Sequence, residues 1–287
     1  MIQPFFSLAV VTYNSEATVG ETLDSIGKLD GLGDVELIVA DDGSRDGTRD
    51  IVERWLSVHT PRFCSVRKVF LETNSGISTA HTSAFAQARG IWGLYLGGDD
   101  LIVREDIFPQ LRSLLEKTRG SFFRIRVKEY YPETGEIADF SSSYSFMRNL
   151  SAERQFRALV AVGNPFRSGP GSVFRIGTLH ALDGFGSYNP AFEDWQLFLK
   201  FTRSGYRIGI LDLDGILWRR HRRQFSATSY EKMLQANRVV RRLEITPYLE
   251  RLSLFERWKY RYSGRLGRRI GELYRSYLET WGKLFHE

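Results

Sequence analysis

The chain has a single cysteine, Cys64, among 287 residues. No intrachain disulfide can form, and a reducing cytoplasm is the expected setting. No stretch approaches the roughly 18 consecutive apolar residues of a membrane span. The N-terminus opens directly on a strand pattern with no signal peptide, which fits the same expectation. No Gly-x-Gly-x-x-Gly follows a strand, which disfavours a dehydrogenase. No basic glycine-rich loop follows the first strand, which disfavours a nucleotidyltransferase. Internal repeats and low-complexity segments are also missing. What is present is ordinary for a globular protein: 42% hydrophobic and 26% charged residues. The length suits one domain of about 200–250 residues with an appendage. The net charge of +6 suits phosphate-bearing ligands or an anionic membrane surface, and is too small to indicate nucleic acid.

The stretch Gly90–Asp100 (Gly-Ile-Trp-Gly-Leu-Tyr-Leu-Gly-Gly-Asp-Asp) organises the rest. Its apolar residues predict a short buried strand. Two glycines then permit a sharp turn and a close approach to a ligand. Two adjacent carboxylates follow, and like charges side by side need a cation or hydrogen-bond donors. Asp99 and Asp100 therefore read as part of a divalent-metal and diphosphate site, the alternative being a polar loop that caps the next helix.

Upstream, strands are predicted at Phe5–Val11, Val35–Ala40 and Cys64–Leu71, and helices from the Thr12–Ser15 loop to Lys28, at Thr48–Val58 and at Ile77–Ala88. Alternation of strand and helix at this spacing implies a parallel sheet with right-handed crossovers. The polar tips Thr12-Tyr13-Asn14, Asp41-Asp42 and Asp99-Asp100 all fall at C-terminal strand ends, so they should converge on one crevice.

The second half is less regular. Ser121–Tyr131 and Gly135–Phe140 read as a strand pair, Ala152–Val162 as a helix and Ser172–Arg175 as a short strand. Loop material surrounds Gly163-Asn164-Pro165 and Ser168-Gly169-Pro170-Gly171. A helix opens at Glu193-Asp194, where the dipole favours carboxylates. Tyr206–Leu213 and Gly215–Arg219 read as two strands, followed by a basic run, Arg219–Arg223, that contains His221. From about Ser226 the pattern is helical. Phe255, Trp258, Tyr262, Leu266, Ile270, Leu273, Tyr277, Trp281 and Leu284 step by three or four with arginines between them, a basic amphipathic pattern. It predicts either peripheral contact with anionic membrane at its inner face or packing on the domain or on another subunit.

In order, Val-Val-Thr-Tyr-Asn, Asp-Asp-Gly-Ser-Arg-Asp-Gly-Thr, Asn-Ser-Gly, Gly-Gly-Asp-Asp and Glu-Asp-Trp-Gln-Leu resemble a family 2 glycosyltransferase over residues 5 to about 225. The resemblance implies a GT-A fold, a Rossmann-like, mostly parallel sheet with helices on both faces, here as domain 1–225 with a C-terminal helical extension, 226–287. It implies an inverting transferase of polysaccharide biosynthesis that uses a nucleotide-diphospho-sugar, with Mg2+ or Mn2+ as cofactor and a glycan or lipid-linked glycan as acceptor. Carried over, Tyr13 stacks on the base with Thr12 and Asn14 in the same wall. Asp42 accepts a hydrogen bond from the base, which favours uracil or thymine, with Asp41 beside it. Asn74 and Gly76 border ribose and phosphates, and Asp99 touches the ribose or a metal-bound water. Asp100 ligates the metal, His221 is a further ligand or a phosphate contact, and Asp194 is the general base, with Glu193 competing for that role.

Two departures stand out. Gly97 occupies a position where relatives often have Asp, and Ala80-His81-Thr82-Ser83-Ala84 stands where Ala-x-Asn-x-Gly is usual. They leave open a second reading, a non-catalytic nucleotide-sugar-binding protein.

Overall fold

The computed structural model describes residues 3–186, 192–220 and 230–261. The expectation for His221, and those for the tail beyond Arg261, lie outside them.

The first half alternates as its apolar runs predict: β1 (Phe6–Thr12), α1 (Val19–Gly27), β2 (Val35–Asp41), α2 (Thr48–His59), β3 (Ser65–Phe70), α3 (Ile77–Ala86) and β4 (Trp92–Gly97). Every residue of β1 and of β2 is buried. Both strands are covered on two faces, which is why they read as continuous apolar runs rather than alternating ones. The two-residue β5 (Leu101–Ile102) and helix α4 (Ile107–Leu115) follow.

The second half adds β6 (Phe122–Tyr131), β7 (Glu136–Asp139), α5 (Ala152–Val162), β8 (Ser172–Arg175), α6 (Ile176–Ala181), α7 (Glu193–Arg203) and β9 (Ile208–Arg219). One expectation is corrected here. The two strands anticipated at 206–213 and 215–219 are the single strand β9. Asp212, Asp214 and Gly215 suggested a break, but β9 continues past them by shifting register against β6 between Arg124 and Val127.

All nine strands form one sheet in the order β3-β2-β1-β4-β8-β6-β9-β5, with β7 on β6. β3, β2, β1 and β4 are mutually parallel; β8 pairs antiparallel with both β4 and β6. The chain steps outward from β1 to β3 and then returns to the other side of β1 for β4. With right-handed crossovers, α1 and α2 lie on one face and α3 on the other. The segment after β4 turns onto the face of α1, where the Ile102 N–H donates to Ser25 Oγ at 3.1 Å; the loops after β1 and β4 therefore pack together, at the strand ends where open α/β sheets bind ligands.

After the undescribed gap come α8 (Tyr230–Val240), a π-turn at Arg241–Ile245, a 3-10 segment at Thr246–Arg251 and α9 (Leu254–Arg261). This segment packs on the domain through ion pairs. Glu256, wholly buried, takes the Arg157 guanidinium of α5 at 2.8 Å. Arg251 pairs with Glu153, and Glu244 with Arg203. Within its described part, the basic amphipathic run lies against α5 through Glu256, while Phe255 and Trp258 keep 44% and 41% of their surface exposed. No helix among the described residues is long and apolar enough to cross a membrane.

The turn after β2 fixes one wall at these strand ends. Gly43 has φ +76°, and a Cβ there would lie 2.5 Å from the Thr73 carbonyl carbon. Both conformation and space require glycine. Gly43→Ala should destabilise the fold by at least about 2 kcal/mol in urea unfolding; an unchanged midpoint would show that the two loops are not held together there.

Candidate active site

The wall formed by the ends of β1 and β2 is built on Asp41. Its carboxylate, fully buried, accepts from Thr12 Oγ1 at 3.0 Å, from the Ser44 N–H at 3.0 Å, from Ser44 Oγ and from Arg49 Nε. These donors engage both of its oxygens, so Asp41 organises the wall. Thr12 is buried with it. Asn14, at φ +48°, ties the two loops together: its N–H donates to Ser44 Oγ at 2.8 Å and its Oδ1 accepts from the Arg45 N–H at 3.0 Å. Tyr13 stands at the rim with 49% of its surface exposed, leaving a ring face for stacking.

Asp42 points the other way, onto the loop before α3. Its two oxygens accept the N–H groups of Ser75 at 2.7 Å and Gly76 at 2.9 Å. Burial pushes its carboxyl upward against these two bonds, and the charge of Asp41 adds to the effect. Asn74 is exposed beside it, and Gly76 opens α3 at φ +93°. Asp42 therefore sets the position of the Asn74–Gly76 loop, whatever else its remaining lone pairs meet.

On the other side of β1, the turn Gly97–Asp100 is close-packed against the β1 loop. The Gly98 N–H donates to the Val11 carbonyl at 2.9 Å, and its carbonyl accepts from Thr18 Oγ1 at 2.8 Å. A Cβ on Gly98 would lie 2.8 Å from Thr12 Cγ2, and one on Gly97 2.6 Å from Asp99 Oδ1. Gly97 thus makes room for the Asp99 carboxylate. Asp100 is buried, accepting from the Gly97 N–H at 3.1 Å and the Arg219 N–H at 3.2 Å. Arg219, the last residue of β9, also donates Nε to the Asp99 carbonyl at 2.8 Å and pairs with Glu21 at 2.5 Å. Burial, and then the charge of Asp99, push the Asp100 carboxyl far above the usual carboxylate range. A bound cation would reverse that.

Among the described residues no three His, Cys, Asp or Glu side chains converge on one point. Two adjacent carboxylates at a glycine turn still fit Mg2+ or Mn2+, because such ions are held by one or two carboxylates with ligand phosphates completing the shell. The cost of a buried Asp100 charge beside the Asp99 carboxylate is the observation that speaks for a cation here.

The third acidic pair opens α7. Asp194 is buried; its Oδ2 accepts from Asn164 Nδ2 at 2.6 Å and its Oδ1 from the Trp195 N–H at 2.5 Å. Burial pushes both Asp194 and Glu193 upward, and the charge of Asp194 raises Glu193 further. One turn on, Gln196 Nε2 donates to Ser78 Oγ at 3.2 Å in the first turn of α3, two residues past the Gly76 amide that Asp42 holds. The start of α7 is thereby joined to the start of α3, next to the loop that Asp42 holds.

Three residues were not anticipated. Arg124, in β6, is fully buried and carries coulombic contact to Asp194. Asn164 lay in a stretch read only as a flexible loop. Arg219 stands in the sequence as one member of a basic run, whereas it fastens the Asp99–Asp100 turn. His81, one of the departures from the usual pattern, is a core residue, with Nδ1 on the Ile77 carbonyl at 2.8 Å and the Tyr95 ring 4.5 Å away.

A Rossmann-like sheet with acidic turns at its C-terminal strand ends is an α/β fold of the GT-A type. Residues 7–181 match the profile described as Glycosyl transferase family 2, and the chain belongs to that family. Among curated relatives, a PGL/p-HBAD biosynthesis glycosyltransferase of Mycobacterium bovis is 30% identical over 40% of this chain and 43% of its own length. The poly(ribitol-phosphate) beta-N-acetylglucosaminyltransferase TarS of Staphylococcus aureus is 36% identical over 36% of this chain and 17% of its own. The matched region thus spans less than half the length of these relatives. The crystal structure of S. aureus TarS 1–349 with UDP-GlcNAc superposes with a TM-score of 0.64 at 23% identity, covering 82% of this chain and 65% of that one. A mannosyltransferase from Pyrobaculum calidifontis with GDP-Man and Mn2+ superposes at 0.58 and 20% identity, over 83% and 63%. Identities this low speak to the fold.

His81 gives this region a pH signature. Burial lowers its pKa from 6.5 to about 4, and Nε2 meets no hydrogen-bond partner among the described residues. The unfolded chain takes up a proton below pH 6.5 that the folded chain refuses until about pH 4, so stability falls with pH across that window. His81→Phe lacks this term. The stability of wild type relative to His81→Phe should fall by up to about 3 kcal/mol between pH 7 and pH 4 in urea unfolding; a constant difference would contradict a buried neutral imidazole.

Proposed function

We propose that this chain is an inverting glycosyltransferase that moves a sugar from a nucleotide-diphospho-sugar to a hydroxyl of a glycan or lipid-linked acceptor. The single observation that carries the reading is the contact path from the base wall to the acidic start of α7: Asp42 to the Gly76 amide, α3 to Ser78, and Ser78 to Gln196. A donor spanning that path would have its base at one end and its sugar beside Asp194.

In this reading the exposed ring of Tyr13 stacks on the base. Stacking of this kind contributes about 1–3 kcal/mol and tolerates any base. Asp42 has acceptor capacity left after its two amide bonds, which favours an imide N–H, hence uracil or thymine. Asp99 and Asp100 would hold Mg2+ or Mn2+ together with the diphosphate. The cation, when bound, neutralises charge that grows on the leaving group. Arg219 keeps the two carboxylates in register.

Asp194 is the general base. Its carboxylate takes the proton of the acceptor hydroxyl as that oxygen attacks the anomeric carbon, and the bond from that carbon to the diphosphate oxygen breaks on the opposite side. One displacement with one base inverts the configuration. A carboxyl pushed upward by burial is a stronger base than a solvated one and is still ionised near neutral pH once donors face it. Cytoplasmic placement and contact of the tail with anionic membrane or another subunit belong to the same proposal and rest on the sequence pattern.

The test is release of the nucleoside diphosphate from UDP-N-acetylglucosamine, UDP-glucose, UDP-galactose and dTDP-sugars, with GDP-sugars as controls, in Mn2+, alongside a thermal-shift screen of the same compounds. A UDP- or dTDP-sugar should raise the melting temperature and turn over. Asp194→Asn should lower kcat by about 10^2–10^4-fold while keeping the thermal shift, and Asp100→Ala should lose both. Thermal shifts without turnover across a broad acceptor panel would favour the nucleotide-sugar-binding alternative that the Gly97 and His81 departures leave open.

A further inference from the structure

The loop 163–171 lies between α5 and β8 and is pinned from several sides. Asn164 Nδ2 donates to Asp194 Oδ2 at 2.6 Å. Its Oδ1 accepts the Phe166 N–H at 3.0 Å. That second bond decides the amide's orientation: the backbone N–H can only donate, so the Asn164 oxygen must face it and the nitrogen must face the carboxylate. At the far end of the loop, Arg124 donates Nη1 to the Gly169 carbonyl at 2.8 Å and to Ser172 Oγ at 2.7 Å. Its guanidinium lies over the rings of Phe166 and Phe198, at 5.3 and 5.5 Å. Ser143 Oγ reaches the Pro165 carbonyl at 2.9 Å. Two positive φ values, Gly163 at +83° and Gly171 at +86°, bring the loop in and out of this clamp.

Given the reading of Asp194 as the base, on which this inference rests, we propose that Asn164 is a positioning residue that holds Asp194 as an ionised, fixed carboxylate. A locked donor supports the anion and offers nothing to the protonated acid. Its bond uses Oδ2 and the Trp195 N–H uses Oδ1, so the carboxylate cannot rotate and presents its remaining lone pairs in one direction. The other groups facing Asp194 are few. Glu193 on the same helix opposes its ionisation, and Arg124 from β6 favours it. Tyr95 from β4 is driven toward its neutral phenol by burial and by these two carboxylates, and buried His81 beside it is neutral. Asn164 and the Trp195 amide are therefore the uncharged donors that counter Glu193 and the loss of water.

The test uses the full-length chain labelled with 15N-tryptophan. The Trp195 amide, assigned through Trp195→Phe, reports ionisation of Asp194 directly, and Asp194→Asn identifies that titration by removing it. Asn164→Ala should move its midpoint up by about one to two pH units, the loss of one hydrogen bond to a charged group. The isosteric Asn164→Asp should move it at least as far, and it decides the matter if the alanine variant does not fold. The acid limb of the pH profile of kcat/KM for UDP release should move by the same amount, with activity recovering at high pH, whereas a merely structural loss would be independent of pH. Unchanged midpoints in both folded variants would overturn the proposal. A shifted midpoint together with full turnover in Asp194→Asn would instead overturn the reading of Asp194 as the base and leave the positioning intact.

Discussion

The structure depends on satisfying carboxylates that stand next to each other in sequence, at least one of each pair buried. Asp41–Asp42, Asp99–Asp100 and Glu193–Asp194 each place two acids at the end of a strand or the start of a helix. Burying such a pair without donors would cost several kcal/mol per charge. In each case the donors come largely from the backbone: Ser44, Ser75 and Gly76 for the first pair, Gly97 and Arg219 for the second, Trp195 for the third. Backbone donors belong to turns, so each pair fixes the geometry of the loop that satisfies it. The acidic pairs are thus structural clasps as well as chemical groups, and the two roles share the same atoms.

The sheet makes this possible. Because β1 lies between β2 and β4, the first two pairs stand at strand ends on either side of it, and the turn after β4 packs on the loop after β1. The antiparallel β8 and β6 then extend the sheet toward α5 and α7, which carry the third pair and the Asn164 loop. Arg219 closes the circuit from the far strand, reaching back to the β4 turn and to Glu21 of α1. A bound donor would meet groups already held in place, which is what preorganised electrostatic stabilisation requires.

Much of this was legible in the sequence where one-dimensional signals match three-dimensional causes. Strands buried on both faces, such as β1 and β2, declare themselves as apolar runs, and glycine turns before carboxylates mark the strand tips. The rest was hidden for identifiable reasons. Arg124, Arg126 and Lys128 alternate with Phe123, Ile125 and Val127, so Arg124 reads as part of a solvated strand face; only the loop folded over it and the aromatic rings of Phe166 and Phe198 show that it is enclosed. Asn164 sits between glycine and proline, where composition indicates a loop and says nothing of its partner 30 residues away. The bulge that keeps β9 continuous is a property of its pairing with β6, not of its own residues. Asp41 and Asp42 looked equivalent; their division of labour, one turned into the wall and one onto the Asn74–Gly76 loop, follows from the alternation of side chains at the end of β2.

The central claim is that one donor molecule bridges the three acidic pairs. The most direct measurement is a crystal structure of the full chain with a non-hydrolysable UDP-sugar analogue and Mn2+. The account predicts uracil between Tyr13 and Asp42, the diphosphate and the cation at Asp99–Asp100, and the Asp194 carboxylate on the face of the anomeric carbon opposite the diphosphate. A nucleotide bound away from the C-terminal ends of β1, β2 and β4, or Asp194 on the same side as the leaving group, would contradict it.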